Sequence, residues 1–238
     1  MSGATFIGDG SGTQHSYATM QVRSVPQSIY EPWLLLRHYA KRIPIVQHAF
    51  GLFVERECIG VVTFGSPASP QVARSVIQPE YASLVIELNR LCVDDHAPRN
   101  ASSTLVSGGL RLLPRPSVVV SYADGAQGHV GYIYQATNFG YYGSAAAHDA
   151  EYESPTGEVV HPRTMVARGI SNPTEWARAN GWTKREAMPK HRYVYICGSR
   201  SQKRNLVRSL LWKPQDYPKG ETRRYQANAP MNSQVALF

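Results

Sequence analysis

The chain lacks long hydrophobic runs and has few cysteines, and each absence narrows its class. Nowhere do about 18 apolar residues follow one another, so the sequence predicts no transmembrane helix. Residues 1–16 also lack the basic start and apolar run of a secretory signal. The three cysteines lie far apart, without a CxxC pair. We therefore expect free thiols in a reducing compartment, the cytoplasm, and no disulfide framework.

Acidic residues are scarce toward the C-terminus. The 238-residue chain carries 25 lysines and arginines against 17 acids, and 15 of those cations but only four of the acids fall within residues 163–224. Tryptophans and tyrosines are interleaved with these cations. The composition favours a polyanionic partner, because cations bind phosphates and aromatic rings stack on bases. A solvated basic face is the alternative interpretation.

The hydrophobic pattern predicts an α/β fold. The predicted elements are, in order, a hairpin at 49–55 and 58–64, a strand at 84–93, a helix at 104–113, a strand ending at 124 and a helix at 129–138. The acidic stretch 147–160 is expected to be a surface loop. This order resembles the GNAT acyltransferase fold, which implies a mixed, mostly antiparallel central sheet flanked by helices. GNAT enzymes carry a glycine-rich loop before the donor-binding helix, whereas HAPRNASS (96–103) contains no glycine.

The same pattern divides the chain into three parts. Residues 1–20 are rich in Gly, Ser and Thr and are predicted to be a flexible N-terminus. Residues 21–146 are interpreted as a GNAT-like catalytic core. Residues 147–238 are predicted to be a basic C-terminal extension that completes the core and contacts DNA.

Two positions on predicted core strands are candidates for ligand contacts. Asp124 ends a strand, and ligands bind at the carboxyl ends of strands in open α/β sheets. Capping of the next helix is the alternative role for this carboxylate. Arg90 lies inside a strand, where a buried cation needs a partner or a ligand anion. Strand alternation predicts that Arg90 shares a face with Leu88.

A third candidate is the polar loop before the helix predicted at 104–113. Arg99 and Asn100 lie in this loop, and Ser102 or Ser103 is the predicted N-cap. A helix N-terminus binds anions through its free amides and its dipole, so the loop is a candidate donor site. A serine in this position also serves as a plain cap.

Four stretches together resemble the bacteriophage Mom-type DNA adenine-modification family. They are HYAKRIP (38–44), ELNRL (87–91), RNASS (99–103) and SYADGAQGHVGYIYQATNFGYYG (121–143). The resemblance implies a GNAT-like enzyme in the cytoplasm of the bacterial host. Such an enzyme converts adenine N6 in duplex DNA to N6-carbamoylmethyladenine and shields phage DNA from restriction nucleases.

The resemblance also implies roles for single residues. The residues carried over from the family's motifs are His38, Tyr39, Arg90, Ser103, Asp124 and Tyr134. Asp124 is our first choice for the base that takes a proton from N6. Tyr134 would act as an acid or orient the donor, and Arg90 would hold an anionic or carbonyl part of it. His38 and Tyr39 would complete the wall around the base, while Arg99, Asn100, Ser102 and Ser103 would bind the donor.

The expected partners are double-stranded DNA, a group donor and, as one open assembly, a second copy in a homodimer. The target adenine must leave the helix stack, and candidate stacking rings are Tyr122, Tyr132, Tyr141 and Tyr142. The predicted DNA-binding cations are Lys41, Arg42, Lys184, Arg185, Lys190, Arg192, Lys203 and Arg204. The donor is acetyl-CoA or a glycine-derived or aminoacylated molecule, and no metal is predicted. The alternatives are a conventional GNAT acetyltransferase acting on another amine and a non-catalytic DNA-binding protein.

Overall fold

A seven-stranded sheet and a three-stranded sheet build the described part of the chain. The computed structural model describes residues 19–38, 40–124, 130–145, 151–185 and 189–219. The strands are, in chain order, β1 (Met20–Ser24), β2 (His48–Val54), β3 (Glu57–Gly65), β4 (Val85–Val93), β5 (Ser117–Asp124), β6 (Gly140–Ala145), β7 (Glu151–Glu153), β8 (Val159–Val160), β9 (Thr183–Arg185) and β10 (Lys190–Cys197). The helices are α1 (Gln27–Pro32), α2 (Pro70–Val76), α3 (Ala101–Leu112), α4 (Tyr132–Ala136), α5 (Pro162–Ala167), α6 (Pro173–Ala179) and α7 (Arg200–Ser209), with a π-helix at Trp33–Arg37 and a 3₁₀-helix at Pro79–Leu84.

The large sheet is mixed. Its strand order is β1-β2-β3-β4-β5-β10-β6, and every neighbouring pair is antiparallel except β4 and β5. The predicted mixed, mostly antiparallel sheet flanked by helices is therefore confirmed. The small sheet, β8-β7-β9, belongs to the segment between β6 and β10. The chain thus leaves the large sheet after β6 and returns to insert β10 between β5 and β6.

Helices cover both faces of the large sheet. Leu105 and Leu110 of α3 pack on one face, which we call the α3 face, against Phe50 and Phe64. The π-helix, α2 and α7 pack on the other face, which we call the α7 face. Gly108 lets α3 approach β1, since a Cβ there would lie 2.5 Å from a Val22 methyl carbon.

Three predicted elements differ from the structure in extent or type. The helix predicted at 129–138 spans only Tyr132–Ala136, as α4. Helix α3 begins at Ala101, three residues before the predicted start, because the amide of Thr104 already makes a helical hydrogen bond to Asn100 O at 2.9 Å. The stretch 147–160, expected to be a surface loop, contains strands β7 and β8 where it is described. The predicted hairpin at 49–55 and 58–64 is confirmed as β2 and β3.

Candidate active site

The parallel strands β4 and β5 separate toward their carboxyl ends. They pair at three positions, the last of which joins Glu87 to Val120. Beyond that point β4 stays paired with β3 as far as Val93, and β5 stays paired with β10 as far as Asp124. Where the strands part, Ser121 Oγ donates to Leu88 O at 3.2 Å. An opening at the carboxyl ends of parallel strands is a common place for a ligand in α/β proteins.

A β-bulge in β4 directs Arg90 away from the α3 face. Leu88 pairs with Phe64 and Arg90 with Thr63, so Asn89 is the extra residue. Leu88 and Leu91 both pack in the core beneath α3, and Arg90 therefore lies on the α7 face. The prediction that Arg90 shares a face with Leu88 is wrong, because the bulge breaks the alternation of the strand. Thr63 Oγ1 donates to Asn89 Oδ1 at 2.7 Å and holds the bulge in place.

His38 is buried beside this arginine. It follows the π-helix directly, is 3% exposed, and accepts a hydrogen bond at Nδ1 from the amide of Ala40 at 3.1 Å. Burial lowers the pKa of His38 to about 3, and the positive charges of Arg90 and Arg42 act in the same direction. A neutral imidazole therefore faces the arginine at neutral pH. Tyr39, the other predicted wall residue, lies outside the described residues.

A half-buried carboxyl group that was not predicted as a site residue, that of Glu87, also lies on the α7 face. Burial raises the pKa of Glu87, while a hydrogen bond from the Ala68 amide and the charges of Arg90, Lys190 and Arg163 oppose the rise. The pKa of Tyr122 is raised by burial and then by the negative charge of Glu87. The signal in the sequence was an acidic residue inside an apolar strand, in the ELNRL motif itself.

Tyr134 lies on the opposite, α3 face of the sheet. Its ring centroid is 5.4 Å from that of Phe139 and 5.1 Å from that of Tyr193, which in turn is 5.3 Å from that of Tyr141. These rings pack against the core cluster that contains α3. The structure thus brings together His38 and Arg90 on one face, and it places Tyr134 on the other face of the opened strand pair.

The predicted base lies at the end of β5. The backbone of Asp124 pairs with Lys190 of β10. Its side chain and residues 125–129 lie outside what the structure describes. The catalytic role of Asp124 stays a prediction, as do the roles of Tyr134, His38, Tyr39 and Arg90.

The loop between β4 and α3 differs from the prediction in its cap. Asn100 takes the N-cap position without a capping bond from its side chain, whereas Ser102 and Ser103 lie in the first helical turn. Ser103 Oγ donates to Asn100 O at 3.0 Å instead of accepting from a free amide. The N-cap prediction for the two serines is therefore wrong, because the helix starts three residues earlier. Donor binding by this loop, with Arg99, stays a prediction.

Close packing positions the helix that carries Tyr134. Gly131 precedes α4 with φ at +74°, and a Cβ there would lie 2.5 Å from a ring carbon of Tyr193. The Tyr193 hydroxyl donates to Val130 O, and Gln135 Nε2 donates to that same hydroxyl at 3.3 Å. Glycine is therefore required at this turn for both its backbone conformation and its lack of a side chain.

Gly131→Ala is expected to displace α4, because it adds steric overlap to the cost of a left-handed backbone, about 1–3 kcal/mol alone. The matched control is Gly157→Ala, at φ +87° with nothing within 4 Å of the added Cβ. Thermal unfolding of both variants should show the larger loss for Gly131→Ala. Equal losses in both variants would show that the contact with Tyr193 does not restrict this position.

The predicted DNA-binding cations fall on three parts of the molecule. Lys41 and Arg42 are both exposed and follow the π-helix. On β9, Lys184 is exposed and Arg185 lies 3.4 Å from a Glu153 oxygen. The others, on β10 and α7, are Lys190, Arg192, Lys203 and Arg204. Residues 190–213 contain seven lysines and arginines and no acid, so this segment, which we call the basic segment, is the most strongly positive of the three.

The described residues contain neither a cluster of metal-ligating side chains nor a membrane-spanning helix. No group of three or more His, Cys, Asp or Glu side chains placed to hold a metal ion occurs among them. None of the helices described is long and apolar enough to cross a membrane.

The mixed sheet, with one parallel strand pair among antiparallel neighbours and helices on both faces, defines the class of the fold as α/β. The opening of the parallel pair is the candidate ligand site. The chain belongs to the Mom protein family, whose family model matches residues 19–219. One relative, "Methylcarbamoylase mom" of Escherichia phage Mu, is 33% identical over 199 residues, which cover 77% of each chain. The four motif stretches all lie inside the range that the family model matches.

Two solved structures are also similar to this chain. A probable acetyltransferase from Staphylococcus epidermidis has a TM-score of 0.43 and 9% identity, and covers 75% of this chain and 99% of its own. An N-acetyltransferase from Staphylococcus aureus Mu50 has a TM-score of 0.40 and 12% identity, with the same coverage. Neither similarity assigns a role to a residue of this chain.

Proposed function

We propose that this protein is a DNA-modifying transferase that converts adenine N6 in double-stranded DNA to N6-carbamoylmethyladenine and so protects phage DNA from host restriction. Membership of the Mom family and the similarity to a phage methylcarbamoylase support the reaction class. The observation that carries the proposal is the interaction of two motif residues, His38 and Arg90, beside the opening of β4 and β5. In this proposal the opening holds the donor and the flipped adenine.

The chemistry requires a base. The lone pair of adenine N6 is delocalised into the ring, so attack on an electrophilic carbon is easier when the proton on nitrogen is taken up. Asp124, at the end of β5, is the proposed acceptor. Arg90 would hold an anionic or carbonyl group of the donor, and the neutral His38 imidazole would form part of the pocket wall. Tyr134, from the other face, would orient the donor or protonate its leaving group.

The bonding of the proposed product restricts which molecules can serve as the donor. In N6-carbamoylmethyladenine a methylene carbon is bonded to nitrogen, whereas simple acetyl transfer leaves a carbonyl carbon there. A glycine-derived or aminoacylated donor contains the required connectivity, and acetyl-CoA would need a further rearrangement. The amides at the start of α3, with Arg99, are the proposed contacts for an anionic part of either donor.

Mass spectrometry of nucleosides tests the proposed function. Plasmid DNA from bacteria that express the protein should contain a deoxyadenosine about 57 Da heavier than normal, the mass of one CH2CONH2 group replacing hydrogen on a base held outside the helix. DNA from cells with the empty vector is the control. Unmodified adenine alongside well-expressed, folded protein would contradict the proposal and favour an acetyltransferase that acts on another amine.

We expect charge reversal in the basic segment to weaken DNA binding. Lys203→Glu with Arg204→Glu, both exposed on α7, should weaken binding to every DNA sequence alike. A protein that neutralises fewer phosphates releases fewer counterions, so the slope of log K against log salt should flatten by about 1 for each phosphate that is no longer bound. Fluorescence anisotropy at several salt concentrations measures this slope.

The control for this measurement carries the same change of charge elsewhere. Arg56→Glu with Arg74→Glu reverses two exposed cations, on the β2–β3 turn and on α2, outside the predicted DNA surface. If both double variants change the slope equally, only net charge matters and the basic segment is not the contact surface.

A further inference from the structure

Tyr122 and Arg192 are neighbours on the α7 face, beside the opening. They pair directly across the β5–β10 ladder. Tyr122 lies two residues beyond Val120, the last residue of β5 that pairs with β4, so it belongs to the separated part of the strand. Val120 of β5 and Val194 of β10 both pack in the cluster of the α7 face, and residues two apart on a strand share a face. The phenol and the guanidinium therefore lie side by side on that face.

Electrostatic effects connect this pair with the opening. Burial raises the pKa of Tyr122, the negative charge of Glu87 raises it further, and the positive charge of Arg192 lowers it. Glu87 is the residue of β4 at which the two parallel strands part. Because charges act strongly only over short distances, Tyr122 lies between a residue of the opening and the guanidinium of Arg192.

A bulge and an aromatic ring position the Arg192 side chain. Its guanidinium carbon lies 4.6 Å from the centre of the Trp212 ring, in a cation–π contact. On β6, two residues, Tyr142 and Gly143, oppose Arg192 as a bulge. Gly143 has φ at +79°, and a Cβ there would lie 2.7 Å from Gln215 Nε2, so the segment that carries Trp212 crosses this bulge closely.

The hydrogen-bonding groups of this pair are unused within the described part of the chain. Arg192 is half-buried, and its Nε is buried with no acceptor from any described residue. None of the ion pairs among the described residues includes Arg192. A buried donor without an acceptor costs free energy unless a ligand supplies one. A guanidinium beside a phenol hydroxyl suits the oxygens of a single anion, since both groups donate hydrogen bonds.

We propose that Tyr122 and Arg192 bind one phosphate next to the flipped adenosine and so hold the target nucleotide in the opening. This inference rests on the proposed function. Strand β10 is the neighbour of β5 on the side away from β4, about 5 Å from it. A nucleotide whose base enters the opening keeps its phosphate outside, above the adjacent strands, where the Arg192 guanidinium lies.

The position of the pair favours DNA over the donor as the source of this phosphate. The donor contacts proposed above belong to the start of α3, which covers the opposite face of the sheet. Arg192 is part of the basic segment, and the exposed Lys190 precedes it by two residues on the same face. Arg192 thus contacts one defined phosphate, whereas the exposed cations of α7 bind the DNA backbone more generally.

Duplexes with one uncharged linkage test this contact. A short duplex carries one adenine that is modified in plasmid DNA, and a methylphosphonate replaces the phosphate on its 5′ side or, in a second duplex, on its 3′ side. Purified wild-type protein, Arg192→Gln and Tyr122→Phe act on these duplexes in a clarified bacterial extract that supplies the donor. The controls make the same changes elsewhere: Arg111→Gln, exposed at the end of α3, and Tyr81→Phe, in the same core cluster as Tyr122. The rate of formation of modified deoxyadenosine and the melting temperature are measured.

On the natural duplex, Arg192→Gln and Tyr122→Phe should each be slower than the wild type by about 10- to 10²-fold, the loss of a hydrogen bond to a charged group. Both controls should match the wild type, and all melting temperatures should be similar. The wild type should lose a similar factor on one of the two uncharged duplexes. Arg192→Gln should lose nothing more on that duplex, because both changes remove the same contact.

Three results would overturn the inference. They are full activity of Arg192→Gln, losses that multiply when variant and uncharged linkage are combined, and full activity of the wild type on both uncharged duplexes. The last result is decisive even if Arg192→Gln does not fold, since it needs no variant. A wild-type protein that fails to modify the natural duplex would instead contradict the proposed function.

Discussion

Asp124→Asn is expected to abolish adenine modification, with modified deoxyadenosine falling at least about 10²-fold below the wild-type level, because the amide keeps the size of the carboxylate but cannot take up a proton. The strand itself should survive the change, since Asp124 contributes its backbone to the pairing with Lys190. The melting temperature should therefore be unchanged. Nucleoside mass spectrometry and thermal unfolding of the same preparation test both statements.

Two further variants sharpen this experiment. Asp216→Asn removes an exposed carboxylate near the C-terminal end of the described chain and should modify DNA at the wild-type rate. Glu87→Gln tests the other candidate base, because Glu87 is a half-buried carboxyl group with a raised pKa beside the same opening. If Asp124→Asn is active and Glu87→Gln is inactive, the base is Glu87 on β4 and not Asp124 on β5.

Arg90→Gln is expected to reduce modification by a comparable factor. The substitution removes the cation that acts on both the neutral His38 imidazole and the half-buried Glu87 carboxyl group. The pKa of His38 should rise from its value of about 3, because one of the causes that lower it is gone, but burial, the largest cause, keeps it below 6.5. The pKa of Glu87 should rise further, since Arg90 is one of the cations that oppose its increase. NMR titration of His38 and nucleoside analysis measure these effects.

The lowered pKa of His38 also makes the folding stability depend on pH. Because the folded pKa of His38 is lowered, the unfolded chain binds more protons between pH 6.5 and about 3, and folding stability falls as the pH falls through that window. In Arg90→Gln the folded pKa of His38 is higher, so the pH range over which stability falls starts at the same pH but ends at a higher one. Arg37→Gln is the control, because Arg37 forms an exposed ion pair with Asp94, at 2.7 Å, of a kind that contributes about 0–1 kcal/mol. A His38 pKa unchanged in Arg90→Gln would show that the two side chains do not interact.

Local pattern was enough to predict much of this fold. Apolar segments on either side of the turn at Glu55–Glu57 predicted the hairpin, and the positive φ of Asn138 agrees with the helix stop predicted there. The motif stretches identified the family, and they contain both His38 and Arg90. Each of these signals is contained in a short stretch of neighbouring residues, so the sequence alone is enough to detect it.

Features that depend on distant contacts could not be predicted in the same way. The bulge at Asn89 is held by Thr63 and by Ile45 O, which lie 26 and 44 residues away in the chain. It reverses the face expected for Arg90. The pKa of Glu87 depends on a hydrogen bond from the Ala68 amide in the β3–α2 loop and on cations from β10 and α5. The pairing of Tyr122 with Arg192 follows from the insertion of β10 between β5 and β6, which strand propensity does not encode.

That insertion determines when the site can exist during synthesis. Strand β5 is complete at Asp124, but β10, its antiparallel neighbour, ends only at Cys197. Until β10 has left the ribosome, the apolar edge of β5 at Val118–Val120 has no partner on that side, and such an edge promotes aggregation. Premature termination before β10 should therefore yield insoluble, inactive chains, so that modification capacity appears only once nearly the whole matched region has been translated.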